Sequence, residues 1–131
     1  MEIDIPKDEI EEMLEKKNID GIINALNTND VGMRCKAIWA LGKLKGDIAF
    51  DALIKTLKDS DTHVRIESIN ALREIGDKKA IPYLKELLND DSTYEFFDLT
   101  ELRVVNVTVS DVVRDAIEIL TSLEEEKKSD V

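Results

Sequence analysis

The chain has a single cysteine, Cys35, so no disulfide can close within it. That is compatible with a reducing compartment. No run of 18 apolar residues occurs, so no membrane span is expected. The opening stretch Met1-Glu-Ile-Asp-Ile-Pro6 is acidic and lacks a long apolar run, so no signal peptide is expected either. These absences together give a cytoplasmic location as the expectation. Positive charge is scarce: 18 Lys and Arg stand against 29 Asp and Glu, for a net charge of −11. Such a field repels nucleic acid and anionic membranes, and both are disfavoured as partners. Glutamine is absent while Lys, Glu and Ile are abundant. A heat-adapted source and a biased base composition both produce that pattern. The few glycines sit where helices should close and form no phosphate-binding loop. At 131 residues the chain is long enough for one domain with a real core.

What is present is a repeat. Residues 61–76 read as one amphipathic helix, with Val64, Ser68, Ala71, Leu72 and Ile75 on one side and Glu67, Asn70, Arg73 and Glu74 on the other. Asp61 is the expected N-cap and Gly76 the left-handed stop. A shift of 31 carries Asp30 onto Asp61, Met33 onto Val64, Arg34 onto Arg65, Ala37 onto Ser68 and Leu41 onto Leu72. Gly46 is expected to close the first copy. The same shift relates Ile22 to Leu53 and Leu53 to Leu84 in a shorter helix ahead of each long one. Three helix pairs follow, as units 18–46, 47–77 and 78–123, within one domain over 1–123. A short acidic helix over 7–17 precedes them, and Pro82 is expected in the first turn of the third short helix. A fixed period near 30 built of helix pairs marks a stacked helical solenoid.

The third unit is interrupted. Aligning Leu120 with Leu72 needs a shift of 48, and the extra residues fall in the insertion 90–109. There, Val105, Val107 and Val109 alternate with Val104, Asn106 and Thr108, which is strand-like. Tyr94-Glu-Phe-Phe97 is the expected partner arm, and 98–101 the turn. The insertion is expected to fold back over the last helix pair as its C-terminal cap; the bland alternative is a mobile loop. The tail 124–131 is highly charged and is expected to fray.

The pattern Asp-x-x-Val-Arg-x-x-Ala-x-x-Ala-Leu, carried by residues 30–41 and 61–72, resembles HEAT repeats, in particular the short HEAT-like repeats of the phycobilisome-lyase group. The resemblance implies an all-α, right-handed superhelix of three HEAT-like pairs, here with an N-terminal capping helix and a hairpin-like insertion by which the third unit departs from the repeat. It implies a surface that holds partners more than a reaction. The expected role is therefore a non-catalytic protein-binding scaffold or adaptor. The alternatives are a subunit or chaperone of a lyase-type enzyme that holds a chromophore or carrier protein, and a solenoid that self-assembles through its open C-terminal end. Deoxyhypusine hydroxylase has similar repeats but binds iron through His-Glu pairs, which are missing here. HEAT-like DNA glycosylases rely on a basic groove, which the charge of this chain opposes.

Few residues invite chemistry, and neither a metal, a cofactor nor a catalytic set is expected. His63 is the sole histidine, with only Glu67 one turn away. Its repeat equivalent is Gly32, so it is expected on an exposed first turn. Cys35, near a helix start and beside Lys36, invites a lowered pKa, but no histidine is near it in sequence and a partly buried thiol without function is the expectation. Arg34, Arg65 and Arg114 recur at the repeat position. In HEAT-like ladders such arginines pair with turn acids, here Asp30, Asp61 or Asp111. Trp39 stands where the other units have Asn70 and Glu118, so it is expected to project from the second helix of its pair. With Lys36 and Lys43 on the same face, and Asn70 and Arg73 on the next helix, it makes a candidate partner-binding surface. The alternative is that Trp39 packs against the first helix or the tail. Tyr94, Phe96, Phe97 and Arg103 make a second candidate surface.

Overall fold

Short polar side chains start almost every helix of this protein. In the computed structural model, which describes residues 8–129 and the side chains of 8–123, the carboxylate of Asp8 accepts from Ile10 N and Glu11 N and opens α1 (Glu9–Glu15). Asn18 opens α2 (Ile19–Ala25), Asp30 opens α3 (Val31–Leu44) and Asp61 opens α5 (Thr62–Ile75) in the same way. Each such cap satisfies amides that the first turn leaves unpaired, worth about 1 kcal/mol. The helix α4 (Gly46–Thr56) has no side-chain cap. A 3-10 turn over Lys78–Ala80, itself capped by Asp77, leads into the short α6 (Ile81–Lys85), with Pro82 in its first turn as expected. The long α7 (Val109–Ser129) ends the described chain.

The end of α3 departs from expectation. Lys45 takes the positive φ of 59° at the stop, and its N–H bonds to Leu41 O; Gly46 is already the first residue of α4. The 31-residue shift explains this, because Lys45 is the equivalent of Gly76, whose φ is 76°. The stop is at the repeat position, and this copy lacks the glycine there. At the other end of the chain, the helix continues through 124–129 where a frayed tail is expected. The Glu-Glu-Glu-Lys-Lys stretch holds good helix formers and no Gly or Pro, so nothing in it stops the helix. Residues 130 and 131 of that tail, and Pro6, lie outside the described residues.

The helices pair as α2 with α3, α4 with α5 and α6 with α7, after the capping α1. The second helices α3, α5 and α7 pack side by side in one layer. The first helices form the other layer. Between them runs a core in which repeat-equivalent residues are all buried: Ile22, Leu53 and Leu84 from the first helices, and Leu41, Leu72 and Leu120 from the second. Gly42 lets α3 approach α5 closely, since a Cβ there would stand 3.2 Å from that of Ala71. Ser68, where the pattern calls for Ala, is buried, but its hydroxyl lies 2.6 Å from Thr56 Oγ1 and 2.8 Å from Val64 O. Its polarity is thus matched.

Two arginines tie the units together. Arg34 makes an ion pair of 3.2 Å with Asp59 and donates to Thr28 O at 2.9 Å. Arg65 donates to Asp90 at 3.0 Å and to Asp59 O at 2.8 Å. The acids are therefore Asp59 and Asp90, one repeat apart, and not Asp30 and Asp61, which are occupied as caps. Each arginine reaches into the turn of the following unit. Arg114 is different: the Val-Arg pair is one residue out of register in the third unit, so Val113 is buried and Arg114 lies in solvent beside Asp111.

The insertion is an antiparallel hairpin of β1 (Thr93–Asp98) and β2 (Arg103–Thr108), joined by 99–102. Val109 starts α7 and is not a strand residue. The root is fastened by Val109 N to Ser92 O, Ser110 N to Asp90 O, and the Ser110 hydroxyl to Leu88 O. The side of Tyr94 and Val107 packs on the core and meets α5. The hairpin thus leans on the first turn of α5, and its tip, with Leu99 and Leu102, is exposed.

Candidate functional site

The layer of second helices carries the candidate surface. On α3, Cys35, Trp39 and Lys43 follow one another at turn spacing and share a face. Trp39 is 41% exposed, unusually open for so large a ring. It edges a groove of about 420 Å³ lined also by Glu67, Asn70, Arg73 and Glu74 of α5 and by Ile119 of α7. The groove thus brings together Trp39, Asn70 and Arg73, three of the residues expected there. The exposure of Trp39 matches its expected projection from the layer.

The cations expected beside Trp39 are not left open. Lys36 Nζ lies 2.5 Å from Asp8 and 3.5 Å from Glu11 of α1. The Asp8 hydrogen bond raises its pKa, and holds that of Asp8 down. Lys43 reaches Glu74 at 2.5 Å and stands 5.8 Å over the Trp39 ring, within cation–π range. Arg73 pairs with Asp115 of α7 at 3.0 Å. Lys36, Lys43 and Arg73 each face an acid supplied by another element. The groove is edged by an exposed aromatic ring and lined by paired charges.

The second candidate surface divides. Cross-strand partners share a face, so Tyr94, Phe96, Val105 and Val107 lie on one side of the hairpin and Phe97 and Val104 on the other. Tyr94 is half-buried, while Phe96 and Phe97 are 42% and 54% exposed. Arg103 is exposed and pairs with Glu101. These four residues do not form one surface.

Tyr94 leads to a group that sequence reading missed. Its ring stacks on His63 at 4.1 Å and 11°. His63 Nδ1 lies 3.8 Å from Cys35 Sγ, and Nε2 lies 3.3 Å from Glu67 Oε1. His63 is thus half-buried between three neighbours and is not an open first-turn residue. Cys35 and His63 are 28 residues apart, close to one repeat, so stacking places them on adjacent helices; that spacing was the available signal. Burial first, then the charges of Glu67, Asp61 and Asp59, push the Cys35 thiol up to about 11, opposite to the lowering that Lys36 and the helix start invite. Among the described residues no group of three or more His, Cys, Asp or Glu could hold a metal ion. No described helix is long and apolar enough to cross a membrane.

Comparison with known proteins agrees with this architecture. No curated protein matches the chain by sequence. Among solved structures, human deoxyhypusine hydroxylase in complex with glycerol is similar with a TM-score of 0.70 at 20% identity, over 90% of this chain and 38% of that one. At that identity the likeness is one of fold. The complex of CpcE and CpcF of phycocyanin lyase from a Nostoc species is similar with a TM-score of 0.63 at 26% identity, over 87% of this chain and 45% of that one. An engineered protein matches with a TM-score of 0.53 at 21% identity, covering 86% and 49%. The chain spans less than half the length of these matched chains. The model of HEAT repeats matches residues 19–96, more than half of the sequence. With its helix pairs, its period and its Arg–Asp ladder, the chain belongs to the HEAT-repeat family.

Proposed function

We propose that the protein is a non-catalytic binding scaffold that docks another protein on its second-helix layer, with Trp39 as the anchor. The observation that carries this is Trp39 itself: a large ring, 41% exposed, at the edge of a groove between helices. Interface energy concentrates in such aromatics, and the surrounding charge pairs shape the rim. The test is Trp39→Ala in capture from the native cell extract. The variant should keep the unfolding midpoint of the parent and lose the partner. Wild-type emission should be red-shifted and readily quenched. A blue-shifted, protected Trp39 whose removal unfolds the domain would sink the proposal.

A second reading is a subunit of a lyase-type enzyme, holding a chromophore or carrier protein. It is supported by the likeness to chains of a two-chain lyase complex. Co-purification of a coloured ligand would favour it over the scaffold. Self-assembly is a third, supported by the exposed apolar residues Phe97, Leu99, Leu102 and Val104 toward the outer end of the hairpin. Sedimentation would show it as a mass that depends on concentration and falls when Leu99 and Leu102 are made polar.

A further inference from the structure

We propose that Cys35 is a nucleophilic thiol, with His63 as its base and Glu67 positioning that base, and that it takes up small neutral or cationic disulfides as mixed disulfides. This reading is independent of the scaffold role. It rests on a thiol on α3 that the fold brings against an imidazole at the first turn of α5, with a carboxylate one turn further along α5.

The tautomer follows from the partners. A carboxylate only accepts, so Glu67 Oε1, 3.3 Å from Nε2, favours the imidazole N–H on that nitrogen. The lone pair of Nδ1 then faces the Cys35 Sγ–H, 3.8 Å away. Tyr94, stacked at 4.1 Å, keeps the ring in that plane. Nucleophile, base and orienting acid in sequence are the arrangement that activates serine and cysteine nucleophiles generally. Access is sufficient for a small reagent, because Cys35 is half-buried and the His63 and Glu67 side chains are 32% and 34% exposed.

The charges around the thiol explain why it needs a base and what it admits. Facing it are Arg34 on its own helix, Asp59 and Asp61 from the turn before α5, and Glu67 and His63 on α5, with Tyr94 of β1 stacked on His63. The three carboxylates oppose a lone thiolate. They do not oppose transfer of the proton to Nδ1, which leaves the thiol–imidazole pair neutral overall and sets an imidazolium against Glu67. The same carboxylates repel an anionic reagent and attract a cationic one. In the reaction Sγ attacks one sulfur of the disulfide as its proton passes to Nδ1. The reagent's S–S bond breaks, and the departing thiolate leaves with the proton from Nδ1. Cys35 is oxidised to the mixed disulfide and the other half of the reagent is reduced to a thiol.

The test is the pH–rate profile of the full chain with three disulfides: neutral dithiodipyridine, cationic cystamine and anionic dithiobis-nitrobenzoate. With the neutral reagent, the rate should not climb about tenfold per pH unit through the alkaline range, because Nδ1 takes the proton as Sγ attacks. His63→Gln should lower the rate at neutral pH by about 100-fold. Glu67→Gln should lower it too, with the circular dichroism spectrum unchanged. Relative to a small free thiol, Cys35 should favour cystamine over the anionic reagent, and salt should narrow that preference. A wild-type rate that climbs about tenfold per pH unit through the alkaline range, as for an unaided thiol, would overturn the proposal. So would a Glu67→Gln variant that reacts faster, since that outcome means the carboxylate only repels.

Discussion

Arg65→Ala should be among the costliest single changes outside the apolar core. The Arg65 side chain is 13% exposed and that of Asp90 18%. The substitution removes hydrogen bonds to Asp90, to Asp59 O, to Ser60 O and to Thr62 Oγ1. A hydrogen bond to a charged group contributes about 1.5–3 kcal/mol, and stranding the partner of a fully buried pair costs about 3–5 kcal/mol. Asp90 retains the Ser92 N–H at 3.1 Å and some solvent, which reduces the penalty. The expected loss is about 2–4 kcal/mol, a large share of the roughly 5–15 kcal/mol that holds a domain of this size. Urea unfolding followed by circular dichroism measures it. Arg114→Ala is the control: its side chain is 65% exposed, so its loss should stay below about 0.5 kcal/mol. Combined with Asp90→Asn, Arg65→Ala should show a coupling of about 1–3 kcal/mol. The pH dependence has a definite sign. Burial pushes the Asp90 carboxyl up, but Ser92 and the Arg65 guanidinium outweigh it and hold it below its ordinary value of 3.8. Its contribution is therefore complete above that value and fades as the pH falls below it, and Arg65→Ala should weaken this acid loss. An Arg65→Ala cost no larger than that of Arg114→Ala, or zero coupling to Asp90, would refute the ladder as the link between units.

Three further outcomes follow from the fold. Lys45→Gly should stabilise the domain by about 1 kcal/mol, because φ 59° with ψ −167° is a conformation that glycine alone adopts readily; an unchanged urea midpoint would contradict this. Leu72→Ala should cost about 2–5 kcal/mol and Asn70→Ala little, and equal shifts would mean that the inward and outward faces are misassigned. Amide exchange should be slow at the paired residues of Arg103–Thr108 and fast over 99–102, whereas uniform fast exchange would show that the hairpin does not persist in solution.

The periodic part of this protein was legible in its residues. Core positions, capping aspartates and left-handed stops depend on local spacing: the core leucines recur in all three units, and the 31-residue shift places the caps and stops twice, at Asp30 and Asp61 and at Lys45 and Gly76. Even the Lys45 stop follows from the shift, though a glycine one residue later drew the expectation away from it. The alternation of Val105 and Val107 against Val104 and Asn106 likewise announced the hairpin.

What the tertiary structure alone decided lies between units. The acids that meet Arg34 and Arg65 are 25 residues downstream, and only the packing of one turn beside the next helix selects Asp59 and Asp90 over the nearer Asp30 and Asp61. Lys36 looked free because its partners, Asp8 and Glu11, sit on the capping helix. His63 looked open because its repeat equivalent is Gly32, yet the non-repeating insertion returns Tyr94 onto its ring, and the side-by-side stacking of α3 and α5 sets it against Cys35. A repeat pattern specifies which face of a helix is buried. Which side chains meet across neighbouring units depends on the stagger and rotation of whole helices, and those are set by packing at contacts such as Gly42 against Ala71.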